Sequence, residues 1–370
     1  MHYNNMPQLR IGNLVLKKPI IQGGMGVGIS LSGLATAVAN EGGIGVISSV
    51  ALGLLEENKQ LKFREANIHF LKNEIRKAKK ITKGVIGLNI MVAMSDYDNL
   101  LECAISEKVD IVFLGAGLPL RFPKHFSTDE IKSIKTLFAP IVSSARAAQI
   151  VFKYWEKTFG RVPDAVVVEG PKAGGHLGFK KEQIDDPAYK LENLIPEVIA
   201  VIKTFEERLN KEIPVIAAGG IFSGADIHQF LELGAKGVQM GTRFVATHEC
   251  DASIEFKNAY IESKKEDMTI IESPVGLPGR AIRNSFLNDV AAGEHKPFNC
   301  PWKCLKTCDF RTSPYCIADA LFNAQQGKIS EGFTFAGANA YKVDKIISVK
   351  ELFETLQMEY SRCLRKETVH

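Results

Sequence analysis

Eight short apolar runs, most followed by a helical pattern, constrain this chain more than any other feature. They centre near residues 20, 45, 87, 112, 141, 167, 215 and 239. Runs that are apolar throughout suit strands buried on both faces, and strand–helix alternation builds a parallel sheet. A count of eight favours closure over an open doubly wound sheet. The predicted class is α/β, a TIM (β/α)8 barrel with a C-terminal cysteine-containing elaboration.

The clearest single unit is IPVIAAGGIFSGADIHQFLELGAKGVQMGTRF, residues 213–244. It reads as strand, glycine turn, helix, strand, glycine turn. Ser223 is placed to cap the helix and Gly234 to end it. The strands end in Gly219-Gly220 and in Gly241-Thr242, preceded by Gln239 and Met240. Glycines there let backbone N–H groups approach an anion, and a phosphate site in the last two loops is a habit of such barrels. Ordinary glycine turns are the plainer alternative.

Other units follow the same plan. Residues 8–18 suggest a hairpin closing one end of a barrel. Pro19–Gln22 is strand-like and runs into Gly23-Gly24-Met25-Gly26; Ser30 or Ser32 can cap the next helix, which Gly42-Gly43 stops. Helices are expected over 97–107, 145–159 and 191–209, and more loosely over 52–80. The expected divisions are a barrel over 1–250, an insertion over 251–330 and a C-terminal segment over 331–370 that packs back on the barrel. Residues 272–284, ESPVGLPGRAIRN, read as loop.

Composition excludes several classes. The chain has 370 residues, 45% hydrophobic and 24% charged, with a net charge of +4. That charge is small and its lysines are scattered, so nucleic acid is not an expected partner. No apolar run approaches the about 20 residues of a membrane span. MHYNNMPQLR lacks a signal-peptide core, and seven cysteines suit a reducing compartment, so a cytoplasmic protein is expected. A homodimer is left open.

In a barrel of this kind chemistry sits where strands end. The loop EGPKAGGHLG, residues 169–178, is the most telling end. Its glycines, including Gly174 and Gly175, surround His176. Such a run costs backbone entropy, so either a tight turn or close approach to a planar ligand is needed. Histidine titrates near neutrality and can hydrogen-bond or take up a proton. Lys172 adds positive charge that would favour an anion, or is simply a solvated loop lysine. Asn89 places an amide within an apolar strand, and its partners are either backbone or ligand. Met25 is either core or a thioether facing a ring.

Together QGGMGVG, GLNIMV, VVEGPKAGGHLGF, IPVIAAGGI and GVQMGTRF, in this order, resemble the FMN-dependent nitronate monooxygenases (2-nitropropane dioxygenases). The same group includes the flavin-containing type II enoyl-ACP reductases. The resemblance covers residues 9–250 and 331–357. It implies an oxidoreductase with non-covalent FMN, its phosphate against Gly219, Gly220, Gly241 and Thr242. The ring would lie near Gln22, Gly23, Gly24, Met25, Asn89, Gly174 and Gly175. Glu169, Gln239 and Met240 complete the cofactor set, and His176 is the residue acting on substrate. For a nitronate monooxygenase the substrate is an alkyl nitronate anion oxidised with oxygen. For the reductase alternative NAD(P)H is the reductant and an enoyl thioester the substrate. A third alternative is a flavin-binding barrel without turnover. Two departures touch the substrate wall: Lys172 stands where a small or acidic residue is common, and Asn339 lies in FAGANA (335–340) where the family has a glutamine-type pattern.

The cysteine cluster lies outside that resemblance. Cys300, Cys304, Cys308 and Cys316 follow the spacing C-x3-C-x3-C-x7-C. This is neither a zinc ribbon nor a familiar ferredoxin run. Three readings stand: an iron–sulfur or zinc site, redox-active thiols, or inert core cysteines.

Overall fold

The computed structural model describes residues 6–367 apart from Lys59, Pro297 and Pro301, without the side chains of Lys366 and Glu367. The chain opens with an antiparallel hairpin, β1 (Leu9–Ile11) and β2 (Leu14–Leu16), turning at Gly12, whose φ is +53°. Then come β3 (Ile20–Gln22), β4 (Ile44–Ser48), β5 (Val85–Met91), β6 (Ile111–Gly115), β7 (Leu137–Val142) and β8 (Val166–Glu169). After β9 (Gly175–His176), which lies outside the barrel, follow β10 (Val215–Ala218) and β11 (Gly237–Met240). The eight parallel strands close, with β11 pairing β3 through Val238↔Ile20, Gln239↔Ile21 and Met240↔Gln22. All eight strands stand where the apolar runs placed them, and the TIM (β/α)8 barrel is the fold.

The barrel's interior explains its closure. Ile21, Ile44, Val46, Ile111, Phe113, Val167 and Ile216 pack together with Leu9, Ile11 and Leu16 of the hairpin. The hairpin therefore plugs one end and leaves the other, where the strands' C-termini lie, for a site. Each such side chain contributes about 1.5–3 kcal/mol by leaving water. Outside, helix Ser32–Asn40 presses so closely on β4 that a Cβ at Gly45 would meet the Ala35 carbonyl oxygen at 1.7 Å.

Caps differ in part from the sequence reading. Ser223 does cap its helix, accepting from the Asp226 N–H. Neither Ser30 nor Ser32 caps helix Ser32–Asn40. Instead the Asp251 carboxylate accepts from the N–H groups of Leu31, Gly33 and Leu34, and Glu74 accepts from that of Ser32. Ser30 Oγ accepts from the Met25 N–H and braces the first glycine loop. The N-terminal donors go to carboxylates distant in sequence, which no local pattern shows.

The segment expected as loop over 272–284 is largely a hairpin, β12 (Met268–Glu272) and β13 (Pro278–Ile282), antiparallel through Ile270↔Arg280. β13 pairs in turn with β9, Gly279 opposite His176. The C-terminal helix Val349–Glu367 lies on helix Gly224–Glu232, where Glu359 accepts from the Gly224 N–H. A Cβ at Gly224 would meet the Leu356 carbonyl oxygen at 2.2 Å, so only glycine permits that approach. Among the described residues no helix is long and apolar enough to cross a membrane.

Candidate active site

A cavity of about 980 Å³ opens at the C-terminal ends of the barrel strands. Gly23, Gly24 and Met25 line it from β3, Asn89 from β5 and Glu169 from β8. Lys172, Gly174, Gly175 and His176 line it from the loop beyond β8. Gly219 and Gly220 close β10, and Gln239, Met240, Gly241 and Thr242 close β11. Asn339 reaches the same space from the C-terminal segment. Gln22 does not line it. That side chain is fully buried at the strand end, where its Oε1 accepts from the Val46 N–H at 2.9 Å and its Nε2 donates to the Gly23 carbonyl.

Several glycines here have stated reasons. Gly219 and Gly220 hold φ of +94° and +89°, the left-handed region that favours glycine. A Cβ at Gly24 would stand 2.3 Å from the Asn89 Cβ. One at Gly174 would meet the backbone of Ala336 and Gly337 at 2.5 and 2.6 Å. At Gly175, φ +79°, a Cβ would meet nothing within 4 Å, so this backbone faces open cavity.

FAGANA is threaded between these loops. The Asn339 Nδ2 donates to the Gly220 carbonyl at 2.6 Å, and the Ala338 N–H to the Lys172 carbonyl at 3.0 Å. On the loop's other side the buried Arg280 donates to the Pro171 carbonyl at 3.0 Å.

Burial shifts several ionisable side chains in the wall, Glu169 and His176 among them. The Glu169 carboxyl is pushed up to about 7. The His176 imidazole is pulled down to about 4, so it is neutral at physiological pH. Its Nε2 lies 2.7 Å from Ser273 Oγ, and the Phe335 ring stands edge-on at 5.0 Å.

Ser273 and Phe335 were not singled out from the sequence, nor was Ser48. The Ser48 hydroxyl is fully buried, lines the cavity and has no hydrogen-bond partner. The small polar pair Ser48-Ser49 ending a strand was the signal available for it. Ser273 and His176 are 97 residues apart, and nothing local links them.

FMN can be tested against this wall. An orphaned hydroxyl at Ser48, open backbone at Gly175 and paired glycine turns after β10 and β11 are features a large polar, planar ligand would satisfy. The residues present fit the group.

Of the four clustered cysteines, only Cys304 lines the cavity. Its segment runs antiparallel to residues 93–95, with the Ser95 N–H donating to the Cys304 carbonyl. All four are free thiols, and burial pushes those of Cys304 and Cys316 up to about 12. Among the described residues no three His, Cys, Asp or Glu side chains are grouped so as to hold a metal ion. The iron–sulfur or zinc reading of this cluster therefore finds no formed ligand set here.

Comparison with known proteins agrees with the barrel. The nitronate monooxygenase family model matches residues 8–359. A probable nitronate monooxygenase of Staphylococcus aureus is 26% identical over 317 residues, covering 76% of this chain and 79% of that one. The (3aS,4S,5R,7aS)-5-hydroxy-7a-methyl-1-oxo-octahydro-1H-indene-4-carboxyl-CoA dehydrogenase of Rhodococcus jostii is 26% identical over 275 residues, 74% of this chain. The chain spans slightly less than two thirds of that relative, 65% of its length. Among solved structures, FabK from Thermotoga maritima superposes with a TM-score of 0.72 at 27% identity, over 95% of this chain and 96% of that one. The nitroalkane oxidase of Streptomyces ansochromogenes, 22% identical with a TM-score of 0.71 over 95% and 98%, shares the fold. With its family model matched from residue 8 to residue 359, the chain belongs to the nitronate monooxygenase family of oxidoreductases.

Proposed function

We propose that this protein is an FMN-dependent oxidoreductase of the nitronate monooxygenase type, oxidising alkyl nitronates with oxygen. The observation that carries this reading is one cavity with glycine turns of the last two strands on one wall and a neutral histidine on another. The turns at Gly219-Gly220 and Gly241-Thr242 would take the phosphate of FMN. Glu169 neighbours the first turn, since it pairs with Ala218 across β8 and β10. With its carboxyl pushed up to about 7 by burial, it carries less negative charge near neutrality than an ordinary carboxylate and repels a phosphate less. Gly23, Gly24, Met25, Asn89 and Ser48 would border the ring.

FMN supplies the electron acceptor when bound. The chain's own residues bind, orient and polarise. A nitronate is an anion with a delocalised charge on its oxygens. Lys172 at the cavity wall favours its entry, and a neutral His176 can donate a hydrogen bond to one oxygen. The apolar remainder of the wall excludes water and strengthens both interactions.

A second reading keeps the cofactor and changes the substrate. The elaboration adds Leu305, Ile317, Leu321 and Phe335 to the cavity wall. This apolar side, within a cavity of about 980 Å³, offers more room than a short alkyl nitronate uses. It suits the acyl part of an enoyl thioester, reduced with NAD(P)H. A barrel that binds flavin without turnover is the remaining outcome. Oxygen uptake with propyl nitronate, beside NAD(P)H oxidation with a crotonyl thioester, distinguishes the three. The first reading predicts nitronate-dependent oxygen uptake and formation of a carbonyl product. Thioester-dependent NAD(P)H oxidation alone would replace it with the second, and no turnover with either would leave the third.

A further inference from the structure

The partner of His176 lies on the hairpin that sequence alone reads as loop. β9 carries His176 and pairs with β13, and the Leu177 N–H donates to the Pro278 carbonyl at 2.8 Å. The turn joining β12 to β13 thus stands directly over the glycine loop. Its residues Val275, Gly276 and Leu277 roof the cavity. The turn is internally tied: the Ser273 N–H donates to the Leu277 carbonyl at 3.2 Å, and the Gly276 N–H to the Ser273 carbonyl at 2.9 Å. Ser273 is 6% exposed.

The Ser273 hydroxyl has two neighbours of different kinds. The Val275 N–H donates to its Oγ at 3.4 Å, and His176 Nε2 lies at 2.7 Å. A backbone N–H is only ever a donor, so one lone pair of Oγ is taken. The hydroxyl proton then needs an acceptor, and Nε2 is the one in reach. Were Nε2 protonated instead, Oγ would accept twice and its buried O–H would be left unpaired, which is costly. The Phe335 ring stands T-shaped to the imidazole, with ring centroids 5.0 Å apart.

We propose that Ser273 is the positioning residue of His176, donating to Nε2 and so fixing the neutral Nδ1–H tautomer. The chain Val275 N–H to Ser273 Oγ–H to Nε2 leaves Nδ1–H as the donor available to the cavity. His176 then meets a substrate oxygen as a hydrogen-bond donor and does not begin as a base. The role of the tautomer in turnover rests on the reading of His176 given above; the hydrogen-bond chain does not.

Nitrogen-15 NMR of histidine-labelled protein, saturated with FMN, tests this directly, with His176→Gln used to assign the signal. The wild type is expected to show Nδ1 as the protonated nitrogen and Nε2 as the bare one. Ser273→Ala should move the signal towards the Nε2–H form, and Ser273→Thr should keep the wild-type pattern. With propyl nitronate, Ser273→Ala should lower kcat about ten-fold with KM little changed, as expected for loss of an orienting partner. A wild-type signal from the Nε2–H tautomer overturns the proposal, and needs no variant to fold. An unchanged tautomer in Ser273→Ala overturns it too. A tautomer that follows Ser273 in a protein without nitronate turnover would uphold the proposal and count against the function read above.

Discussion

At the scale of single residues, the site is a set of side chains whose charge is decided by burial. His176 is neutral near neutrality, because burial holds it near 4. His176→Ala should keep FMN and lose about 10²-fold in turnover, the scale of a missing proton donor or acceptor. An unchanged rate with propyl nitronate would remove His176 from that role. Any acid limb due to His176 should fall near pH 4, well below the 6.5 of a free imidazole. Glu169 behaves in the opposite sense. Its folded value of about 7 lies above the unfolded 4.5, so the native state holds the proton that the unfolded state releases. Stability from this group is fully present below about pH 4.5 and is lost as pH rises to about 7. Thermal unfolding of Glu169→Gln against wild type should therefore show an advantage that opens between those values and stays level above. A constant difference across that range would show that Glu169 is not shifted. His176 and Lys172 were legible from the sequence because they sit in a costly glycine run at a strand end. Ser48, Ser273 and Phe335 were not, since each gains its place only when distant segments meet.

At the scale of elements, the strands were legible and their attachments were not. Runs buried on both faces leave an unbroken apolar record, as in Ile44–Ser48 and Ile111–Gly115. The β12–β13 hairpin has no such record. β12 is only partly buried, β13 is buried but carries Gly279 and Arg280 in place of an apolar run, the turn is rich in proline and glycine, and the third strand has two residues. The N-terminus of helix Ser32–Asn40 was misread for a similar reason, its acceptor being Asp251 from beyond β11. Asp251→Ala should cost about 2–4 kcal/mol in denaturant unfolding, as a lost cap leaving several donors unpaired. A cost within experimental error would mean those N–H groups find other acceptors. Gly24→Ala belongs to the same scale. Its Cβ would overlap that of Asn89, so the first and third strand ends must part. Overpacking of this kind costs about 1–3 kcal/mol, and FMN should be retained poorly on dialysis compared with wild type.

At the scale of the molecule, a plugged barrel leaves one open end, and segments between β12 and FAGANA are folded over that end. The hairpin, the cysteine segment and FAGANA all contribute to the cavity wall. Of the clustered cysteines, Cys304 alone takes part in shaping the cavity. Cys304, which is buried, and Cys316, which is half-buried, should react slowly with iodoacetamide at neutral pH, because burial disfavours the thiolate. Rapid alkylation of either would contradict that. The most direct measurement is anaerobic: the purified protein, loaded with FMN, is mixed with propyl nitronate without oxygen, and the visible flavin absorption is followed. Bleaching by the nitronate, restored on admitting air and not produced by NAD(P)H, is the predicted result. A protein that takes up no FMN, or whose flavin stays oxidised with nitronate while NAD(P)H bleaches it, would contradict a nitronate-oxidising site.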